Sequence, residues 1–115
     1  MIAANISFSF VRGGITSNEF RSAAYSLTLL FGFTVIEHVL QQLSAEGHFA
    51  CRSKFVGSLM AASRHSLPWV NFTLVDEARE QRNKIAHQQQ WISIEDCERY
   101  LNAIENELRA WGILS

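Results

Sequence analysis

The chain has 115 residues, of which 48% are apolar and 18% charged, and its formal net charge is −1. That is enough apolar residue for one domain with its own core, and the composition excludes a disordered chain. The near-neutral balance also excludes a chain-wide basic field of the kind that carries nucleic-acid binding, so a nucleic-acid ligand would need a local basic cluster. Residues 1–70 carry five Lys/Arg against three Asp/Glu, and residues 71–115 carry five against eight. The one cluster that stands out along the chain is Arg79, Arg82 and Lys84, with His87 beside them.

Residues 1–15 open with Ile6, Phe8 and Phe10 alternating with small polar residues, a period of two that predicts an extended N-terminal arm ended by Gly13-Gly14. Thr16 followed by Glu19 has the spacing of a capping box, and predicts a long helix from about Ser17 to about Ala45 with Gly47 as its stop. Two apolar stripes run along this helix. Leu29, Phe33, Ile36, Leu40 and Leu43 make one, and Leu27, Phe31, Val35 and Val39 make the other on a largely different face. A helix apolar on two sides must be covered on two sides; one can be the domain's core, and a second copy of the chain is the simplest cover for the other. The uncharged stretch from Ser22 to Ile36 is 15 residues long and is followed at once by Glu37 and His38. A membrane span needs about 20 apolar residues, so the expectation is a buried helix and no membrane.

A second helix is predicted over about Phe49 to His65, with Phe55, Val56, Leu59 and Met60 inward and Pro68 ending the run. Trp69, Val70 and Phe72 then read as an apolar linker folded onto the bundle, and a third helix as running from about Thr73 to about Gln88. Ser93 with Asp96 signals the start of a fourth helix, whose stripe is Ile94, Cys97, Leu101, Ile104, Leu108 and Trp111, with Gly112 as its end. Four helices with short connections imply an all-α fold, an antiparallel up-down four-helix bundle. The division is an arm over residues 1–15 and a helical domain over residues 16–115.

Two cysteines, Cys51 and Cys97, make no disulfide framework, and no basic segment precedes an apolar one at the N-terminus. The expected location is cytoplasmic, where the glycosylation-type triplets at Asn5 and Asn71 are chance matches. The pair His48 and Cys51 has a metal-like spacing but no second pair near it in sequence, so no metal site is expected. Trp69 and Trp91 flank the third helix and are expected to pack rather than to stack bases.

The third helix carries the residues that point to chemistry, Arg82-Asn83-Lys84-Ile85-Ala86-His87. At about 100° per residue, Arg82 lies within the apolar arc of Val75, Ala78, Ile85 and Ala86. An arginine there needs a partner or a wet cleft. Glu37 is the one charge on the first helix between Ser22 and Ala45, which makes it a candidate partner. His87 projects about 140° around the helix from Arg82, with Asn83 between. The two residues therefore line two walls of a groove, or the helix ends near His87 and releases it, or Arg82 of one subunit works beside the histidine of another. The residue types suit RNA cleavage by the ribose 2′-hydroxyl: a histidine, with a reference pKa of about 6.5, moves the proton, and an arginine stabilises charge on the phosphate.

The stretch from Ala78 to Gln88, with its Arg82-Asn83 and Ala86-His87-Gln88, resembles the motif helix of the HEPN superfamily, in which an arginine and a histidine stand five apart. Ser93-Ile94-Glu95-Asp96 and the following Leu101, Ile104 and Leu108 resemble that family's final helix, so the specific likeness covers residues 76–112. The resemblance implies a helical bundle, usually dimeric, with the motif in a cleft at the interface. It implies a metal-independent endoribonuclease without a cofactor, with Arg82 and His87 as the catalytic pair, Asn83 assisting, Arg79 and Lys84 binding substrate and Glu37 in support. Its implied partners are a second copy of the chain, an RNA substrate, and an antitoxin or other regulatory protein. Toxin–antitoxin, defence and stress systems are the implied settings. Toxins of two-gene systems often have tyrosine two positions after the histidine, where this chain has Gln89. The alternative within the family is a non-catalytic module that binds a protein or nucleotide.

Overall fold

The first helix of the described residues is capped at Thr16, in a computed structural model that describes residues 16–88 and 90–114. The Thr16 side chain accepts the Glu19 amide at 3.0 Å, and the Glu19 carboxylate accepts the Thr16 amide at 3.4 Å. Two amides that have no partner inside the helix are thereby paired, and the helix that follows, α1, spans Ser17–Ala45 as its capping signal predicts. At the other end Gly47 adopts a φ of 86°, the His48 amide donates to the Leu43 carbonyl and the Gly47 amide donates to that of Ser44. These are the two bonds of a Schellman cap, which needs a left-handed residue at its turn. The predicted arm over residues 1–15 lies outside the described residues.

Three further helices follow: α2 over Val56–Ser63, α3 over Phe72–Gln88 and α4 over Ile94–Ala110. The described residues form the predicted all-α antiparallel bundle of four helices. Helix α1 packs against each of the others and meets α4 most extensively. Gly32 permits that approach, since a Cβ there would stand 3.3 Å from Leu101 Cδ2 and 3.4 Å from Ile104 Cδ1. The core is built from Leu29, Phe33, Ile36 and Leu40 of α1, Leu59 and Met60 of α2, Val75, Ala78 and Ile85 of α3, and Ile104 and Leu108 of α4. Helix α1 is long and apolar enough to cross a membrane, and here its first stripe is the centre of this core. Its second stripe is only partly covered: Phe31 is 73% exposed and Val35 48%, Leu27 is half-buried, and Val39 packs against the core.

Helix α2 is shorter than predicted. Residues 49–55 form no helix because side chains capture the backbone locally. The Cys51 thiol donates to the Ser53 carbonyl, the Ser53 hydroxyl accepts the Phe55 amide, and the Gln41 side-chain amide donates to the Lys54 carbonyl at 2.9 Å. Phe55, expected inward, occupies the N-cap position and is 77% exposed, since a residue outside the helix does not follow its buried face.

A buried carboxylate that the sequence did not single out sets the entry to α3. Glu107 of α4 is 1% exposed and accepts the amides of Val70 and Asn71 at 2.8 and 2.7 Å. Asn71 in turn accepts the Leu74 amide at 3.1 Å. The apolar linker does fold onto the bundle: Trp69 packs edge-on against Phe72 and Trp111 and donates to the Ser63 hydroxyl, while Val70 is exposed. Ser26, buried in α1, accepts the Ile92 amide at 3.3 Å and so ties the α3–α4 connection to the core. Cys97 is buried beside it, and that burial pushes its thiol pKa up.

Candidate active site

Helix α3 continues through Gln88, so His87 sits in its last turn and is not released from it. The lattice of helical bonds therefore fixes the angular offset between Arg82 and His87. Arg82, Asn83 and His87 nevertheless border one cavity of about 300 Å³, and Arg79 borders it from the turn before. Of the arrangements the sequence left open, the described residues of one chain form two walls of one groove. The remaining walls are Glu37 of α1, Phe55 at the N-cap of α2 and the first residues of that helix, Val56, Gly57 and Ser58. A second cavity, of about 190 Å³, reaches Arg82 from its other side and is lined also by Phe33, Thr34, Glu37 and Ala86. Arg82 and Glu37 border both.

Among the described residues the Arg82 guanidinium makes no hydrogen bond, and its Nε is buried without a partner. It lies 5.7 Å from the centre of the Phe33 ring, close enough for a cation–π attraction. Burial holds its pKa below the usual arginine value; the nearby Glu37 charge opposes that shift and Arg79 adds to it. The side chain stays cationic at neutral pH, because an arginine starts so far above it. The guanidinium thus borders the cavity with no hydrogen bond to a described residue, and an anion there would meet donors that the bundle does not use.

Glu37 does not close on Arg82 as an ion pair. Its Oε2 accepts the Val56 amide at 3.0 Å, which caps the first turn of α2. The carboxylate therefore fixes α2 against the site while its charge still favours the guanidinium. Arg79 donates from Nε to Asp76 at 2.9 Å, a half-buried pair one turn along α3. Gly57 lets this arginine lie close, since a Cβ at Gly57 would stand 3.4 Å from Arg79 Nη1. His87 is exposed and Asn83 half-buried. Lys84 is exposed and does not border the cavity.

Phe33, Gly57 and Ser58 belong to the site although sequence reasoning passed over them. The apolar stripe marks Phe33 only as core, and the predicted helix over 49–65 puts Gly57-Ser58 in its interior. The start of α2 at Val56 brings the pair to the cavity, and the signal for that start is the Glu37 bond, which spans 19 residues of sequence. Trp69 is committed to packing, and Trp91 is half-buried against the core. His48 lies 3.5 Å from Glu46, and no group of three or more His, Cys, Asp or Glu with metal-binding geometry occurs among the described residues.

The arrangement offers an imidazole open to solvent, a guanidinium with free donors and an amide between them. That is a set able to hold a phosphate and move a proton. Comparison of the chain with family models, with curated proteins and with solved structures finds no match.

Proposed function

We propose that this chain is a metal-independent endoribonuclease of the HEPN type, acting as a homodimer. The single observation that supports it best is the convergence of Arg82, Asn83 and His87 on one cavity, with the Arg82 guanidinium unpaired by any described residue. In the proposed reaction the 2′-oxygen of a ribose attacks the adjacent phosphorus. The O2′–P bond forms and the P–O5′ bond breaks, leaving a 2′,3′-cyclic phosphate and a 5′-hydroxyl. The proton of the 2′-hydroxyl is taken by an imidazole and one is given to the departing O5′; a dimer supplies two copies of His87 for these two transfers. Arg82 neutralises charge that builds on the non-bridging oxygens, and Asn83 orients the phosphate or the imidazole. Glu37 supports the guanidinium through its charge, and Arg79 and Lys84 contact neighbouring phosphates.

The dimer draws on a separate observation, the exposed apolar stripe of α1 around Phe31 and Val35. Thr34 and Glu37 on the same helix line the smaller cavity that reaches Arg82, so the stripe runs beside the site. A second copy packed there would exclude water from the cleft and bring two motifs near one axis.

The test is incubation of the purified protein with RNA in EDTA, beside Arg82→Ala and His87→Ala variants. Cleavage by the wild type alone, with cyclic-phosphate ends, is the expected result. Equal activity in all three proteins would sink the catalytic assignment. Binding of RNA or nucleotide without cleavage would favour the non-catalytic module, and the place of either in a toxin–antitoxin, defence or stress system follows from which RNA is cut or bound.

A further inference from the structure

The loop leading into α2 also borders a cavity of its own. Residues 51–54 line a space of about 330 Å³ with Gln41 and Ser44 of α1. Its neighbour, the motif cavity, begins at Glu37 and at residues 55–58. The two therefore follow one another along the same loop and along α1, where Glu37 and Gln41 are one turn, about 6 Å, apart. The loop is held in place at several points: Cys51 to the Ser53 carbonyl, Gln41 to the Lys54 carbonyl and Glu37 to the Val56 amide.

What this fixed loop presents is charge of one sign. Arg52 and Lys54 are exposed and join no ion pair among the described residues. No carboxylate lines their cavity, whose other polar groups are neutral: Gln41, Ser44, Cys51 and Ser53. Across both cavities the lining includes Arg52, Lys54 and Arg82 against Glu37, with Arg79 paired to Asp76 at 2.9 Å, in a chain with ten Lys/Arg and eleven Asp/Glu. Tertiary structure thus gathers a local positive surface that the net charge of −1 conceals, and such a surface is what an anionic polymer requires.

We propose that Arg52 and Lys54 form a second phosphate-binding subsite, next to the motif cavity along the same loop, that holds the backbone of single-stranded RNA beyond the nucleotide at Arg82 and His87. The identity of the polymer rests on the ribonuclease reading; the subsite itself rests on the charge of the two cavities and their succession along one loop. Both side chains are exposed, so replacing them leaves the core intact.

The experiment measures binding of a fluorescent single-stranded 2′-O-methyl RNA, which lacks the attacking hydroxyl, over a range of salt. The proteins are wild type, Arg52→Ala/Lys54→Ala and Arg52→Glu/Lys54→Glu, with an acidic peptide as a second ligand. The alanine pair is expected to weaken RNA binding about tenfold at low salt. Its salt dependence should flatten by roughly 0.7 per lost phosphate contact, about 1.4 for the pair. The glutamate pair should weaken binding further. RNA binding and salt slope unchanged in the alanine pair would overturn the proposal, as would a wild type that does not bind. So would loss of acidic-peptide binding alone, which would assign the surface to a protein partner. Cleavage is scored separately on ordinary RNA, so a protein that binds through Arg52 and Lys54 yet cuts nothing keeps the subsite and loses the ribonuclease reading.

Discussion

Glu107 and Asn71 are 36 residues apart, and the carboxylate of the first accepts the amide of the second at 2.7 Å inside the bundle. With the Val70 amide on its other oxygen, Glu107 receives the chain as it enters α3, the helix that carries Arg82 and His87. A buried carboxylate is tolerated because each oxygen has a donor. Replacing Glu107, itself 1% exposed, by leucine removes both acceptors and leaves the Val70 and Asn71 amides without their partner. The expected loss is about 3 kcal/mol, from the usual worth of hydrogen bonds to a charged group, read from the midpoint of urea unfolding. Glu107→Gln keeps one good acceptor and should lose less.

Arg82 predicts the opposite sign. Its buried Nε has no partner, so the bundle gains little from its polarity. Arg82→Met keeps much of the side-chain volume and removes the unpaired donor. Stability should stay level or rise by about 1 kcal/mol, while cleavage should fall at least about 100-fold, the effect of losing one donor to transition-state charge. Thermal unfolding and single-turnover cleavage of one preparation check both halves. A variant that is inactive and unfolded would contradict the account of this side chain.

The Tyr100 hydroxyl donates to Glu77 at 2.6 Å, with Arg99 on the same carboxylate oxygen. Burial, and then the bond to Glu77, push the Tyr100 pKa up to about 12. The unfolded chain loses its phenolic proton near the reference value of about 10, before the folded one does. The stabilising contribution is therefore complete below pH 10 and is lost as pH rises toward 12. Glu77 behaves in the other direction. Its bond to Tyr100 holds its pKa below 4.5, so its contribution is present above that value and is lost as pH falls. Stability profiles of wild type and Tyr100→Phe should differ in the alkaline limb between pH 10 and 12.

Phe31 and Val35 are expected to matter for assembly rather than for folding. Their exposure means that charged replacements disturb no packed core. Phe31→Glu with Val35→Glu should leave helix content and the unfolding midpoint of the isolated subunit nearly unchanged. Light scattering should show a dimer for wild type and a monomer for the variant, with cleavage lost alongside. A monomeric wild type that cuts RNA would exclude the interface.

Gly112 closes α4 with a φ of 79°, the Ile113 amide bonded to the Leu108 carbonyl and its own amide to that of Arg109. A Cβ at Gly112 has nothing within 4 Å, so the cost of Gly112→Ala is conformational alone. It should be about 1 kcal/mol, measured by urea unfolding, with no change in the site.

Local signals in the sequence determined what depends on neighbours. The Thr16–Glu19 box, the two glycine stops and the 3,4 spacing of apolar residues located α1, α3 and α4, because capping and helical periodicity act within a turn or two. The same periodicity placed Arg82 on an apolar arc and left Phe31 and Val35 without a cover. The tertiary structure decided whatever depends on a distant partner. The first turn of α2 is set by Glu37 from 19 residues away, and the entry to α3 by Glu107 from 36 and 37. Spacing along the chain put Arg82 and His87 on diverging directions, and only the walls contributed by α1 and α2 make one cavity of them. Arg52 and Lys54 carried no local signal at all; they join the positive surface because the loop turns back along α1, where they share a cavity with Gln41 and Ser44. Periodicity reports which face a residue is on, and only packing reports what stands across from it.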